Sequence, residues 1–216
     1  MNVGFLGAEL SRWDALLREG VRPSVLGLPF FDDERPLRGA AGLCDWRLGG
    51  RISRLLGARI GPQRDDRGES VKLHGGFGEK LLLPTGARLP FSRLVLYGLG
   101  PQRSFDESLA KTAVRDLLSA LRQLVDVSSD AATTEAGPTI AIVPPGRSTG
   151  ALSARRALEL LLEGAEPLFG RTSSQQDGAP PIRLLVVESQ AAQKEAGELV
   201  RRFGADAGKH VVDLIS

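Results

Sequence analysis

The amino-acid sequence predicts an α/β fold in which a mixed, mostly parallel β-sheet carries helices on both faces. Short apolar runs bounded by turn residues alternate with longer segments whose apolar residues recur at helical spacing. Continuous apolar runs are typical of strands that are covered on both faces. Strands and helices that alternate along a chain build parallel sheets with helical layers on either side. The composition, 42% hydrophobic and 25% charged residues, is ordinary for a globular protein.

The apolar runs place the strands. Residues 24–31 give the clearest example, because a nearly continuous apolar run ends there at an acidic turn. Residues 71–74 and 80–83 flank a glycine-rich turn at 75–78, which predicts an antiparallel hairpin. The same pattern predicts further strands at 3–6, 94–98, 139–143 and 182–188.

Helical spacing of apolar residues places the helices between these strands. The strongest pattern spans residues 106–125, where leucines and valines form one stripe and Ser104 or Asp106 can cap the start. Residues 41–56 are predicted as one helix that Gly57 ends. Further helices are predicted at 10–18, 152–163 and 191–203.

The domain organisation follows from the spacing of these elements. No composition shift marks an internal boundary, so we predict one domain over residues 1–216. Residues 128–138 are small and polar, and residues 170–181 are rich in Ser, Gln, Gly and Pro. Both segments are therefore predicted to be flexible loops.

Charge and cysteine content narrow the class of protein. A formal net charge of +2 does not by itself favour a nucleic-acid partner. The one cysteine, Cys44, excludes an internal disulfide and indicates either a reducing compartment or a protein that is indifferent to redox conditions. The apolar runs fall short of the about 20 residues that cross a bilayer. Charged residues interrupt the N-terminal segment, which does not resemble a signal peptide. We expect a cytoplasmic protein.

The densest carboxylates are the candidates for a metal site. Asp32, Asp33 and Glu34 are consecutive, and Asp45 follows nearby. Carboxylate oxygens suit divalent cations. An acidic turn after a strand is more often a solvated loop, and Asp45 suits the beginning of a helix. We therefore predict no metal site and no cofactor.

The residues that could act as nucleophiles or metal ligands lack the companions that their chemistry needs. His74 and His210 lie far apart, and neither has a Cys or a second His at ligand spacing. Cys44 falls on the apolar stripe of its helix, which predicts a packed thiol. Ser148 lies in a Gly-Arg-Ser-Thr-Gly run, but no paired base lies within sequence reach of it, so a serine hydrolase is not predicted. No residue is predicted to be catalytic.

Two glycine-containing loops that lead into helices are the candidates for ligand binding. They span residues 37–42 and 145–150. Backbone amides that glycine exposes at a helix N-terminus form a phosphate site, and Arg38 and Arg147 would add positive charge. The alternative is that the glycines only allow tight turns. The predicted ligand residues are Gly39, Gly42, Arg147, Ser148, Thr149 and Gly150.

Residues 25–56 resemble the start of a known domain. Their order of buried strand, acidic turn, glycine-rich loop and amphipathic helix is similar to the N-terminal domain of the leucyl (cytosol) aminopeptidases, peptidase family M17. The likeness continues in order through 75–79, 81–85, 95–100 and 182–188. The resemblance implies a three-layer α/β/α sandwich that is macro-domain-like.

The resemblance also implies a function. In that family a C-terminal domain holds two metal ions and performs the chemistry, and this chain ends at Ser216 before any such segment. We therefore expect a non-catalytic stand-alone domain that acts in protein–protein assembly, either with itself or with a partner that it regulates, such as a full-length aminopeptidase. A native chain that continued past Ser216 into a carboxylate-rich domain would restore the enzyme interpretation.

Two alternatives stay open. The loop at 145–150 resembles the Ser/Thr-Gly phosphate loop of macro domains, which bind ADP-ribose, so the chain would be a macro-type binder of ADP-ribose or another phosphorylated ligand. The lesser alternative is a DNA-binding accessory protein, because some bacterial members of the aminopeptidase family bind DNA through this domain. The arginines that would serve such binding are Arg47, Arg51, Arg54, Arg155, Arg156, Arg201 and Arg202.

Overall fold

A computed structural model of the chain describes residues 2–19, 23–56, 73–126, 138–169 and 182–206. Six strands in these ranges form one sheet. They are β1 (Asn2–Gly7), β2 (Val25–Phe30), β3 (Lys80–Pro84), β4 (Arg93–Gly98), β5 (Thr139–Ile142) and β6 (Arg183–Glu188). The helices are α1 (Leu10–Arg18), α2 (Gly39–Arg47), α3 (Arg51–Leu56), α4 (Glu107–Asp126), α5 (Ala154–Phe169) and α6 (Gln190–Asp206), with a 3₁₀ turn at Gln102–Ser104.

The strand order is β1-β6-β5-β2-β4-β3. Every neighbouring pair is parallel except β3 and β4, which are antiparallel. Strand β2 lies in the interior of the sheet, with Val25 opposite Arg93 of β4 on one side and Ile140 of β5 on the other. All six residues of β2 are buried, which explains why its sequence is a continuous apolar run.

The helices cover both faces of the sheet, so the predicted three-layer α/β/α fold is confirmed. One face packs against α1, α2 and α3 through side chains such as Trp13, Cys44 and Ile52. The opposite face packs against α4, α5 and α6. The apolar stripe of α4 supplies Leu117 and Leu121, both fully buried. Amphipathic helices bury such a stripe against a sheet because the transfer of apolar surface out of water drives folding.

Two predicted elements differ from the observed ones. The helix predicted at 41–56 begins earlier, at Gly39, and is interrupted between α2 and α3. Gly49 and Gly50 have φ of +67° and +76°, which an α-helix cannot contain. The helix predicted at 152–163 instead spans Ala154–Phe169 and continues through Pro167.

The predicted hairpin of residues 71–74 with 80–83 is wrong. Strand β3 pairs with β4 instead, with Leu82 opposite Val95. Residues 73–76 are irregular, and residues 71–72 lie outside the described part of the chain. The predicted loop at 170–181, and all but the last residue of the one at 128–138, also lie outside it, so their flexibility stays a prediction.

Residues 73–79, hereafter the strap, cross the carboxyl end of β4. Their backbone approaches the sheet closely, because the N–H of Gly78 donates to the carbonyl of Gly98 at 3.0 Å and the N–H of Gly100 donates to the carbonyl of Gly75 at 2.9 Å. The carboxylate of Glu79 accepts hydrogen bonds from the N–H groups of His74 and Gly75 within the strap. The strap is therefore held by backbone contacts that leave no room for a side chain on β4 at Gly98.

None of the helices in the described ranges is both long and apolar enough to span a bilayer.

The strap gives a prediction for Gly98. A Cβ at this position would lie 2.2 Å from the carbonyl oxygen of Gly76, a backbone atom that cannot rotate away. We expect Gly98→Ala to lower the free energy of unfolding by about 3 kcal/mol, as overpacking does. Urea denaturation measures this value. Gly76→Ala is the matched control, because its Cβ would meet nothing within 4 Å, and it should change stability by less than about 0.5 kcal/mol. If the two substitutions change the free energy of unfolding equally, the backbone of the strap does not lie as close to Gly98 as described.

Candidate functional site

The chain connections place a crevice on each side of β2. After β2 the chain enters α2 on one face of the sheet, whereas after β4 and β5 it enters α4 and α5 on the other face. Where connections leave neighbouring parallel strands toward opposite faces, a crevice opens outside the carboxyl ends of the strands. Such crevices are where ligands bind in open α/β sheets.

The strap closes the crevice between β2 and β4. The N–H of Asp32, just after β2, donates to the carbonyl of Gly100 at 3.1 Å, and Gly100 is in turn bonded to Gly75 of the strap. A Cβ on Gly75 would lie 2.8 Å from the ring of Phe30 and 3.0 Å from the Cα of Asp32. Because this backbone fills the space beside β4, the crevice between β2 and β5 is the candidate site.

The β2–β5 crevice brings together the two loops that the sequence predicts. Glu34 and Gly39 after β2 lie next to Ser148 after β5, and Thr149 follows Ser148 in the same loop. A Cβ on Gly39 would lie 4.0 Å from the Cα of Ser148, so the two loops are in van der Waals contact. Gly39 has a φ of +54°, a conformation that favours glycine.

A buried carboxylate joins the two loops. The side chain of Glu34 accepts a hydrogen bond from the N–H of Arg38 at 3.0 Å and another from the hydroxyl of Ser148 at 3.0 Å. Glu34 is only 5% exposed. Arg38 is the N-cap residue of α2, so the negative charge of Glu34 lies at the end of the helix where the macrodipole is positive.

The hydroxyl of Thr149 is an unsatisfied group of the 145–150 loop. Its Oγ1 is buried, and none of the described residues supplies it with a hydrogen-bond partner. A buried polar atom without a partner costs about 1–3 kcal/mol, so native structures rarely keep one. Gly150, which follows, has a φ of +74° and open space where a Cβ would be. The 145–150 loop therefore has an unused donor at Thr149 and, at the following residue, no atom close to the position of a Cβ.

Arg147 is engaged by the protein itself. Its Nε donates to Glu188 at the end of β6 at 2.6 Å, and its Nη1 donates to the carbonyl of Leu152 at 2.8 Å. The side chains of Arg147 and Glu188 are 21% and 12% exposed. The guanidinium thus ties the 145–150 loop to strand β6, and the contact between Arg147 and a phosphate stays a prediction.

Gly42 lies inside α2, because the helix begins at Gly39. Its N–H donates to the carbonyl of Arg38 at 3.1 Å, as in any helical turn. A Cβ on Gly42 would lie 2.4 Å from the carbonyl oxygen of Leu37. The structure therefore gives Gly42 a packing role against Leu37, and its contact with a ligand stays a prediction.

The other acidic residues are used within the protein. The carboxylate of Asp33 accepts a hydrogen bond from the N–H of Gln102 at 3.1 Å, and Asp45 accepts hydrogen bonds from the N–H and hydroxyl of Ser53. Burial and the neighbouring Asp33 raise the pKa of Asp32. Among the described residues, no three metal-ligating side chains come together. Asp45, predicted at a helix start, instead connects α2 to α3.

Two other predicted residues can also be located. Cys44 is completely buried on α2, which confirms the prediction of a packed thiol. Burial raises the pKa of this thiol well above its usual range, so it is a poor nucleophile at neutral pH. His74 belongs to the strap and has an exposed imidazole, whereas His210 lies outside the described residues.

Several of the arginines named for DNA binding make contacts within the protein. Arg47 pairs with Asp14, and Arg54 donates to the carbonyl of Gly49. Arg156 pairs with Glu107 and Glu159, and its hydrogen bond to the exposed Glu107 lowers the pKa of that carboxylate. The side chains of Arg201 and Arg202 lie outside the described part of the structure.

Comparison with solved structures relates this fold to macrodomains. A macrodomain variant from Oceanobacillus iheyensis matches with a TM-score of 0.57 and 12% identity over 95% of this chain and 92% of its own. The Trypanosoma brucei macrodomain in complex with ADP-ribose matches with a TM-score of 0.56 and 12% identity, over 92% of this chain and 68% of its own. The macrodomain of Mycobacterium tuberculosis DarG matches with a TM-score of 0.53 and 14% identity, over 87% of this chain and 98% of its own. No family model and no curated protein matches the chain.

The resemblance to the M17 aminopeptidase N-terminal domain is therefore wrong. These matching structures are macrodomains, and sequence comparison supplies no evidence for the peptidase family. The predicted role as an aminopeptidase-type assembly or regulatory domain is corrected with it. The motifs that suggested M17 describe a strand, a turn and a helix, and unrelated sequences share these within one fold. What the comparisons show is the fold: a mixed, mostly parallel sheet of macrodomain-like α/β architecture.

The link between the 145–150 loop and β6 gives a prediction. Arg147→Met would leave the carboxylate of Glu188 and the carbonyl of Leu152 without their partner. Because both side chains of the pair are largely buried, we expect a loss of about 2 kcal/mol in the free energy of unfolding. Arg155→Met is the matched control, since Arg155 is 65% exposed and pairs with Glu159 one helical turn away. It should cost less than about 0.5 kcal/mol by the same urea titration. If Arg147→Met lowers the free energy of unfolding no more than Arg155→Met does, the pair of Arg147 and Glu188 does not hold the 145–150 loop to β6.

Proposed function

We propose that this chain binds ADP-ribose, or a ligand with the same diphosphate and ribose groups, in the β2–β5 crevice. The observation that carries the proposal is the meeting of two glycine-containing loops, after adjacent parallel strands, at the carboxyl edge of the sheet. The supporting comparison is that the Trypanosoma brucei macrodomain has been solved with ADP-ribose and with ADP.

The chemistry of the 145–150 loop suits a diphosphate. The Oγ1 of Thr149 has a proton to donate and no partner among the described residues. Gly150 allows the backbone to come close to a ligand, because nothing occupies the position of its missing Cβ. Phosphate oxygens accept hydrogen bonds from hydroxyls and backbone N–H groups, and such donors hold phosphates in many nucleotide sites.

The proposed site relies on dipoles more than on free cations. Arg147, the nearest cation in the loop, is paired with Glu188. Glu34 already occupies the positive end of α2, so the amides of the 145–150 loop and the hydroxyl of Thr149 would supply the attraction for the diphosphate. Hydrogen bonds from neutral donors impose direction, so the site would recognise the geometry of a diphosphate rather than its charge alone.

A melting experiment tests the proposal. A ligand that binds only the folded state stabilises it by about 2.7 kcal/mol at a concentration a hundred times its Kd. We expect ADP-ribose at millimolar concentration to raise the Tm of the wild-type chain. Gly150→Val should abolish the shift, because the new side chain would fill the open space of the loop.

Gly86→Val is the matched control for that variant. Gly86 also has a positive φ, +61°, and open space at the position of its Cβ, but it lies in the turn after β3, away from the crevice. Both valines should lower the Tm of the free protein, since a β-branched residue is strained there. Only the Gly86 variant should keep the response to ADP-ribose. The absence of any shift in the wild-type chain would overturn the proposed function.

A further inference from the structure

Strand β3 is an open edge of the sheet in the part of the chain that the structure describes. It is the last strand in the order and pairs with β4 alone. An antiparallel pair exchanges hydrogen bonds at every second position. The carbonyl of Glu79 accepts from the N–H of Gly98 at 2.9 Å, so the odd-numbered residues of β3 bond to β4. The even-numbered residues Lys80, Leu82 and Pro84 therefore point their backbone groups away from the sheet.

Exposed apolar side chains lie along this open edge. Leu82 is 44% exposed, and Phe77, which is 40% exposed, meets the ring of Tyr97 edge-on. Lys80 covers the same ring, with its Nζ 5.6 Å from the ring centroid. Lys80 and Leu82 are two positions apart on the strand, so their side chains share one face of the sheet. An unpaired strand edge with apolar side chains beside it is a template for a further strand.

The charge of the edge is already balanced within the chain. Lys80 is the charged residue of β3, and its Nζ donates to the carboxylate of Asp116 on α4 at 2.7 Å. The neighbours of Asp116 one turn away on α4 include Thr112 and Ser119, which are uncharged. An edge lysine normally discourages strand pairing by its charge. Because Asp116 offsets that charge here, a second copy of this surface can approach without strong repulsion.

The free backbone groups of β3 fit a second copy of the same strand. When two copies run antiparallel about a twofold axis at Leu82, the N–H and carbonyl of each Leu82 bond to those of the other. The N–H of each Lys80 then faces the carbonyl of Pro84, which has no N–H of its own. The two Lys80 residues lie about 13 Å apart along the strands. That separation exceeds the Debye length of about 8 Å at physiological ionic strength.

We propose that β3 is an interaction surface at which two copies of this chain pair antiparallel and join their sheets. The contact is isologous, because the same residues supply donors and acceptors on both sides of the twofold axis. Leu82 packs against Leu82 of the second copy, which buries apolar surface that the single chain exposes. The inference goes beyond the proposed function and does not depend on it, since β4 and β2 lie between β3 and the β2–β5 crevice.

Sedimentation velocity over a range of protein concentrations tests the pairing. We expect the wild-type chain to shift from monomer to dimer as its concentration rises through the micromolar range. Leu82→Lys places like charges opposite each other across the twofold axis, and it should raise the dimer Kd at least about tenfold. Trp46→Lys is the matched control, because Trp46 is 67% exposed on α2, away from β3. We expect its dimer Kd to equal that of the wild type.

Crosslinking of Leu82→Cys tests the register. Directly opposite residues of a hydrogen-bonded antiparallel pair have Cα atoms about 5.5 Å apart, a distance that a disulfide bridges. The native Cys44 is fully buried, so it does not compete in the reaction. We expect oxidised Leu82→Cys to form a covalent dimer on a non-reducing gel. Trp46→Cys is the control for random collisions and should form such a dimer much more slowly.

Each outcome supports or overturns the pairing. A wild-type chain that stays monomeric overturns it, and the open edge would then be free for a strand from another protein. A dimer whose Kd is unchanged in a folded Leu82→Lys variant uses a different surface and overturns it as well. If Leu82→Lys does not fold, as its circular dichroism spectrum and Tm would report, the crosslinking decides. Equal crosslinking rates of Leu82→Cys and Trp46→Cys overturn the proposal, and a faster rate at Leu82 supports it.

Discussion

The buried carboxylate of Glu34 is the interaction on which the candidate site depends. It connects the beginning of α2 to the loop after β5 through two hydrogen bonds, and the two segments lead into helices on opposite faces of the sheet. Because a buried carboxylate must have both donors in place, the two loops are fixed relative to each other. The β2–β5 crevice thus takes its shape from one side chain.

The close backbone approach at Gly98 complements this constraint. The strap fills the crevice beside β4, so the carboxyl edge of the sheet keeps one crevice next to β2 rather than two. On the far side of β5, the pair of Arg147 and Glu188 holds the loop against β6. The unpartnered hydroxyl of Thr149 belongs to the same loop as Arg147.

Much of the fold could be predicted from the sequence, because strands and helices leave local patterns. The helix α4 and the strand β2 both lie where the spacing of apolar residues in the sequence predicts them. The predicted helix over 41–56 was wrong because Gly49 and Gly50 adopt left-handed conformations, which the surrounding apolar spacing hides. The predicted hairpin was wrong because the glycines at 75 and 76 contact β4 rather than forming a turn between paired strands. The family resemblance failed for a related reason, since its motifs describe elements that many sequences share.

The sequence by itself determined which residues form strands and helices, and it located the two glycine-containing loops, because these features depend on neighbours a few positions away. Only the tertiary structure decided that Glu34 contacts Ser148, 114 residues further along the chain. It also decided that Arg147 pairs with Glu188 and that Gly42 packs inside a helix. These contacts depend on the order of strands in the sheet, which brings β2, β5 and β6 side by side. The chemistry of the crevice is therefore a property of the sheet order and not of any single segment.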